Sequence, residues 1–134
     1  MFKKTITYTD YDNNERTEDF YFHLNKAEAM KMELSVNGGL SAYMRRLIAA
    51  QDTASMTKLF DEFILKSYGE KSNDGKRFMK SEEITRAFLE TEAYSALFVE
   101  LSTNPDAAAA FLNGIIPQDI VEEAKKNANI EVLK

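Results

Sequence analysis

Ser67-Tyr-Gly-Glu-Lys-Ser-Asn-Asp-Gly-Lys-Arg-Phe-Met-Lys-Ser81 is the longest gap between strongly periodic apolar segments, and glycine interrupts it twice. Before it, Met56, Leu59, Phe60, Phe63 and Ile64 fall at i, i+3, i+4, i+7 and i+8, one stripe of an amphipathic helix over 53–66. After it, Ser81 stands where a helix cap belongs, and Ile84, Ala87 and Phe88 begin a new stripe. Gly69 is placed to end the first helix in a left-handed conformation, which is cheap only without a side chain. Asn73-Asp74-Gly75 reads as a tight turn from which Lys76, Arg77 and Phe78 emerge. Two readings fit this loop: a recognition surface on a helical scaffold, or a solvated connection whose Phe78 returns to the core.

Outward from the loop, the same logic divides the rest of the chain. Upstream, Leu40, Tyr43, Met44, Leu47 and Ile48 make a helical stripe starting near Leu40 or Ser41. Asn25-Lys-Ala-Glu28 has the spacing of a capping box, and the short helix it opens points Ala27, Met30 and Leu34 inward before Asn37-Gly38-Gly39. Residues 2–9 and 16–24 alternate apolar with polar, separated by turn-forming Asp-Tyr-Asp-Asn-Asn-Glu, so they read as an antiparallel hairpin. A lone hairpin is marginal in water, so its Ile6/Tyr8 and Phe20/Phe22 faces require a helical partner. Downstream, 82–102 is one long helix or two joined near Thr91. Asn104-Pro105-Asp106 starts another, which Asn113-Gly114 closes. Pro117 opens a last amphipathic segment with Ile120, Val121 and Ala124, and Lys125 to Lys134 is polar enough to fray. The expected fold is mainly α (α+β), an N-terminal antiparallel β-hairpin packed on a bundle of about five to six amphipathic helices. One globular domain is expected over 1–117, with the hairpin at 2–24 and helices over 26–116, followed by a C-terminal helix and frayed tail over 118–134.

Bulk properties narrow the function. With 134 residues and no cysteine, the chain needs neither disulfide nor thiolate metal to fold, and cysteine nucleophiles are excluded. A net charge of −5 disfavours nucleic-acid binding, and Arg45-Arg46 and Lys76-Arg77 do not extend into a basic stripe. No apolar run reaches the roughly 20 residues that span a bilayer, and Met-Phe-Lys-Lys lacks the apolar core of a secretory signal. A soluble protein that stays where it is made is therefore expected. Asp10-x-Asp12-x-Asn14 opens like a calcium loop, but Glu15 and Tyr21 occupy the sixth and twelfth places that require glycine and glutamate. His23 is the sole histidine and has neither an orienting partner nor co-ligands in the sequence, so a strand-end surface position is its default. Gly38-Gly39 is too short to cradle a phosphate, and Glu82-Glu83 suits the positive end of a helix dipole. The methionines suit adaptable packing or a forgiving binding surface. Nothing points to an enzyme or a cofactor.

The chain resembles the tail assembly chaperones of long-tailed bacteriophages that infect Gram-positive bacteria. The resemblance is carried by Tyr8-Thr9-Asp10-Tyr11-Asp12, by Glu15-Arg16-Thr17-Glu18-Asp19-Phe20-Tyr21-Phe22, and by Leu24-Asn25-Lys26-Ala27-Glu28. It continues in Tyr68-Gly69-Glu70-Lys71-Ser72 with Asp74-Gly75-Lys76-Arg77-Phe78, and in Thr91-Glu92-Ala93-Tyr94-Ser95. It ends with Ala107 to Phe111 and Asn113-Gly114-Ile115-Ile116-Pro117. At Asn13-Asn14 the turn lacks the glycine expected of the family. The resemblance implies a non-catalytic helper in the cytoplasm of the infected bacterium. It would bind and solubilise the tape measure protein while tail tube protein polymerises around it, and be absent from the mature virion. It further implies a longer frameshift product of the same gene. Self-association stands as an open alternative, and neither nucleic acid nor membrane is an expected partner. Position on the loop makes Tyr68, Lys71, Lys76, Arg77 and Phe78 the candidate partner-binding residues. The rival reading is a small helical adaptor or regulatory protein that binds a host or phage protein.

Overall fold

The computed structural model describes residues 1–117, with Ser41, Met44 and Ile48 described in backbone alone. The segment opened by Pro117 and the tail over 118–134 lie outside the described residues. Strands β1 (Phe2–Thr9) and β2 (Glu15–Phe22) form the N-terminal hairpin, in a register that runs from Phe2 opposite Phe22 to Thr9 opposite Glu15. Alternation sorts the strand as expected: Ile6 is buried, Phe2, Lys4 and Tyr8 half-buried, and Lys3, Thr5, Thr7 and Thr9 exposed. The turn is organised by Asp10, whose carboxylate accepts the amides of Asp12 and Asn14 (2.9 Å each) and the Arg16 guanidinium (2.5 Å). Asn13 takes the left-handed conformation (φ 64°) that glycine would fill, a role asparagine tolerates.

Six helices follow among the described residues: α1 (Lys26–Leu34), α2 (Gly39–Ala49), α3 (Thr53–Ser67), α4 (Glu82–Leu89), α5 (Glu92–Thr103) and α6 (Pro105–Ile115). The capping box at α1 is made in both directions, Asn25 accepting from the Glu28 amide (2.8 Å) and Glu28 from the Asn25 amide (3.0 Å). Its buried face is Ala29 and Met32; Ala27 and Leu34 are exposed, and only Met30 of the expected stripe is half-buried. A helix this short has too few apolar residues to set its own rotation. Burial of Ala29 and Met32 in the shared core sets it, with the cap and the Glu28–Lys80 ion pair (2.9 Å) alongside. Thr91 caps α5 and divides 82–102 into two helices, while the Asn104 side chain caps α6 at the amides of Asp106 and Ala107.

The largest departure from expectation lies in the central loop. After α3 the chain enters strand β3 (Tyr68–Lys71), turns, and returns as β4 (Phe78–Met79), giving a sheet of order β1-β2-β3-β4. Tyr21 pairs with Gly69, Phe22 with Tyr68, and Lys71 with Phe78, all antiparallel. The loop is thus a second hairpin that widens the first, and strands of this length are below what alternation can reveal. Gly69 does not end α3 in a left-handed turn. It is buried in β3, and a Cβ there would stand 2.6 Å from the Phe78 ring and 2.8 Å from the Met79 carbonyl oxygen. Gly114 likewise sits inside α6 rather than closing it, with Phe2 against its bare Cα.

The helices pack on one face of this sheet and share an aromatic core. Phe22, fully buried, meets Tyr68, Phe88 and Phe111 edge-on at 5.4–5.8 Å, and Tyr68 stacks on Phe88 at 4.1 Å. Phe2 closes the cluster against Phe111 (5.5 Å). Tyr94 joins α5 to α3 through a hydrogen bond to Asp61, and burial followed by that carboxylate pushes its phenol pKa up.

Candidate functional site

Strand alternation decides which candidate residues share a surface. Tyr21, Gly69, Lys71 and Phe78 occupy one face of the sheet by pairing and period, and Phe22 and Tyr68 the other. Tyr68 is therefore in the core, stacked on Phe88, and supports the surface from behind. Lys71 extends along the open face with its ammonium 4.6 Å from the centre of the Tyr21 ring, a cation–π contact. Phe78 lies half-buried across the space that Gly69 leaves, edge-on to His23 at 6.2 Å. Lys76 and Arg77 are exposed at the hairpin tip, with Arg77 3.9 Å from the Met79 sulfur. The structure brings Lys71 and Phe78 together on the open face, with Lys76 exposed at the adjoining tip, whereas Arg77 turns to the Met79 sulfur, which alternation puts on the other face.

The tip is held by its own polar groups. Asp74 accepts from the Ser72 hydroxyl (2.6 Å) and the Lys76 amide (3.0 Å), the Ser72 hydroxyl oxygen accepts from the Arg77 amide (3.0 Å), and Gly75 takes φ +74°. Those hydrogen bonds hold the Asp74 carboxyl below its ordinary pKa, so the turn's anion is present at neutral pH. The basic side chains are thus mounted on an ordered turn.

Three neighbours were not singled out in the sequence as part of this surface: Tyr21, His23 and Lys80. Lys80 donates to the His23 carbonyl oxygen (2.7 Å) and to both Glu28 oxygens (2.9 Å), and lies 5.7 Å from the Phe78 ring centre. The signal for Tyr21 and His23 was the alternation of β2, which puts them opposite Phe20 and Phe22. His23 is half-buried, and its Nδ1 is buried with no hydrogen-bond partner among the described residues. Burial first, then the positive charges of the N-terminus and Lys80, hold its pKa below the ordinary value against a smaller opposite pull from Glu28. The unfolded chain then takes up this proton before the folded one does. Stability present above about pH 6.5 should fall as pH drops below it, whereas the depressed carboxyls of Asp10, Asp52 and Asp74 titrate lower still. Thermal melts at pH values on either side of that point should show the loss, and His23→Gln should flatten it; an unchanged pH dependence in the variant would contradict the assignment.

A concavity of about 450 Å³ lies between α1, α2 and α3, floored by Met32, Leu40 and Leu59 and edged by Lys31, Lys58, Lys66 and Glu62. Among the described residues no group of three His, Asp or Glu side chains is placed to hold a metal ion. No helix among them is long and apolar enough to cross a membrane.

No match to this chain was found among curated proteins or among solved structures. The family model for the phage tail assembly chaperone does match it, over residues 1–133. An alignment that takes in the hairpin, all six helices and the basic tip leaves only the final lysine outside, and the chain therefore belongs to the phage tail assembly chaperone family.

Proposed function

We propose that the chain binds the tape measure protein and keeps it soluble during tail tube assembly, without catalysis. The observation that carries this reading is the uneven open face of the sheet. Over β1 and β2 it is lined by exposed threonines and charges, whereas the β3–β4 end gathers Phe78, Tyr21 and Lys71, with Lys76 and Arg77 exposed at the adjoining tip. An aromatic platform rimmed by cations suits an amphipathic client helix that carries acidic residues beside its apolar stripe. Many copies along one long client gain by avidity, so modest affinity per copy suffices. Action in the cytoplasm of the infected bacterium, departure before the virion is complete, a tail tube partner, a longer frameshift product and a Gram-positive host belong to the same proposal, on the resemblance alone.

A second reading places the client in the groove between α1, α2 and α3, whose apolar floor and lysine rim have the same chemistry. A third, a small adaptor for another host or phage protein, is separated from both by the client itself. Replacing Lys76, Arg77 and Phe78 together with alanine should reduce co-purified tape measure protein, with the circular dichroism spectrum unchanged. Val36→Glu, at the helical groove, should not. The reverse pattern would move the client to the groove, and retention by both variants would overturn the assignment of either surface.

A further inference from the structure

β1 is the edge of the sheet, and its free side has the character of an interface. The Asp10 amide donates to the Asn14 carbonyl oxygen (2.9 Å), which makes 10 and 14 a hydrogen-bonded pair. Alternation along the register then makes Tyr8, Ile6, Lys4 and Phe2 the residues that bond β2. The amides and carbonyls of Lys3, Thr5, Thr7 and Thr9 face away from β2, and nothing among the described residues bonds them. Natural edges of this length are blunted by proline, a bulge or unpaired charge. Here Thr5-Ile6-Thr7-Tyr8-Thr9 carries none of these, the inward Lys4 is paired with Glu100 (2.8 Å), and the one exposed charge on the strand is Lys3 near its start.

We propose that this edge pairs antiparallel with β1 of a second copy of the chain, centred on Ile6, to make one sheet continuous across a two-fold axis. The strand is complementary to itself in that arrangement and in no parallel one. Thr5 comes opposite Thr7 of the second copy, extending a row of hydroxyls already begun by the Thr7–Thr17 bond (3.0 Å) within one copy. Lys3 comes opposite Thr9, beside the exposed Asp12 and Glu15 of the other turn, whereas parallel pairing would set Lys3 against Lys3. At the turn end of β1, Tyr11 and Val99, two of the five exposed large apolar side chains among the described residues, line one concavity with Tyr8, Thr9 and Glu92. Val99 and Glu92 both stand on α5, the helix beneath β1. This association is independent of which client the chain carries.

Sedimentation of the intact chain should show a dimer, and hydrogen exchange should find the Lys3, Thr5, Thr7 and Thr9 amides as protected as those of Lys4, Ile6 and Tyr8. Thr7→Pro removes an N–H that β2 does not use and should weaken dimerisation about tenfold to a hundredfold, the loss of a symmetric pair of hydrogen bonds. Thr7→Val keeps the N–H and should stay dimeric. Should the proline variant fail to fold, the double variant Thr5→Lys with Thr7→Lys, both on the exposed face, should dissociate the dimer by setting like charges across the axis. A monomeric wild type overturns the proposal, whether its edge amides exchange freely or are protected by another part of the chain. So does an oligomer that none of these changes weakens.

Discussion

Phe22→Ala should cost the fold about 3–5 kcal/mol, the range for emptying a fully packed aromatic site. Phe22 has no exposed surface and touches Tyr68, Phe88 and Phe111, so one truncation removes ring contacts to a strand and two helices together. Those partners cannot collapse inward without breaking the Phe22–Tyr68 pairing that joins the two hairpins. A small domain holds only about 5–15 kcal/mol in total, so the variant should unfold at much lower urea and melt well below the parent. A loss below about 1 kcal/mol would mean that the cluster is not the centre of the core.

The second large effect is expected at Gly69. A methyl group there meets the Phe78 ring and, at 2.8 Å, the Met79 carbonyl oxygen, which belongs to the backbone and cannot rotate away. Gly69→Ala should therefore push β4 off β3 at a cost of about 1–3 kcal/mol, as overpacking does. It should also displace Phe78 from its place beside His23 and weaken client binding at the same time. Gly75→Ala is the matched control: no atom lies within 4 Å of its added Cβ, so only the left-handed strain (φ +74°) of about 1–2 kcal/mol applies. Chemical denaturation measures the first effect and co-purification the second. If both variants retain client equally, the close packing of Gly69 on Phe78 does not shape the surface.

These two residues also show how far the amino-acid sequence carries. Phe22 was legible because alternation over eight residues fixes its face, and the helix caps at Asn25 and Ser81 were legible because each follows from a local hydrogen bond, whereas Thr91 and Asn104 showed only as a junction and a helix start. Gly69 was misread because a glycine that ends a helix and one that lets a ring approach look alike until the neighbour is known. The β3–β4 hairpin escaped notice for the same reason: its strands hold by pairing to β2, a contact across more than forty positions that no window contains. The rotation of α1 depends on the core that receives Ala29 and Met32, most of whose other members are also remote in the chain. At the candidate site the basic tip could be read from Asn73-Asp74-Gly75. That Tyr68 turns to the core while Lys71 and Phe78 share the open face required the register.

The central claim is that the chain shields another polypeptide's apolar surface. The direct measurement is the soluble yield of a tape measure protein from the same phage, produced with and without this chain. Coproduction should move the tape measure from pellet to supernatant and bring the two down together, with less of both when Lys76, Arg77 and Phe78 are replaced. An equally insoluble tape measure in the presence of abundant folded chain would contradict the account.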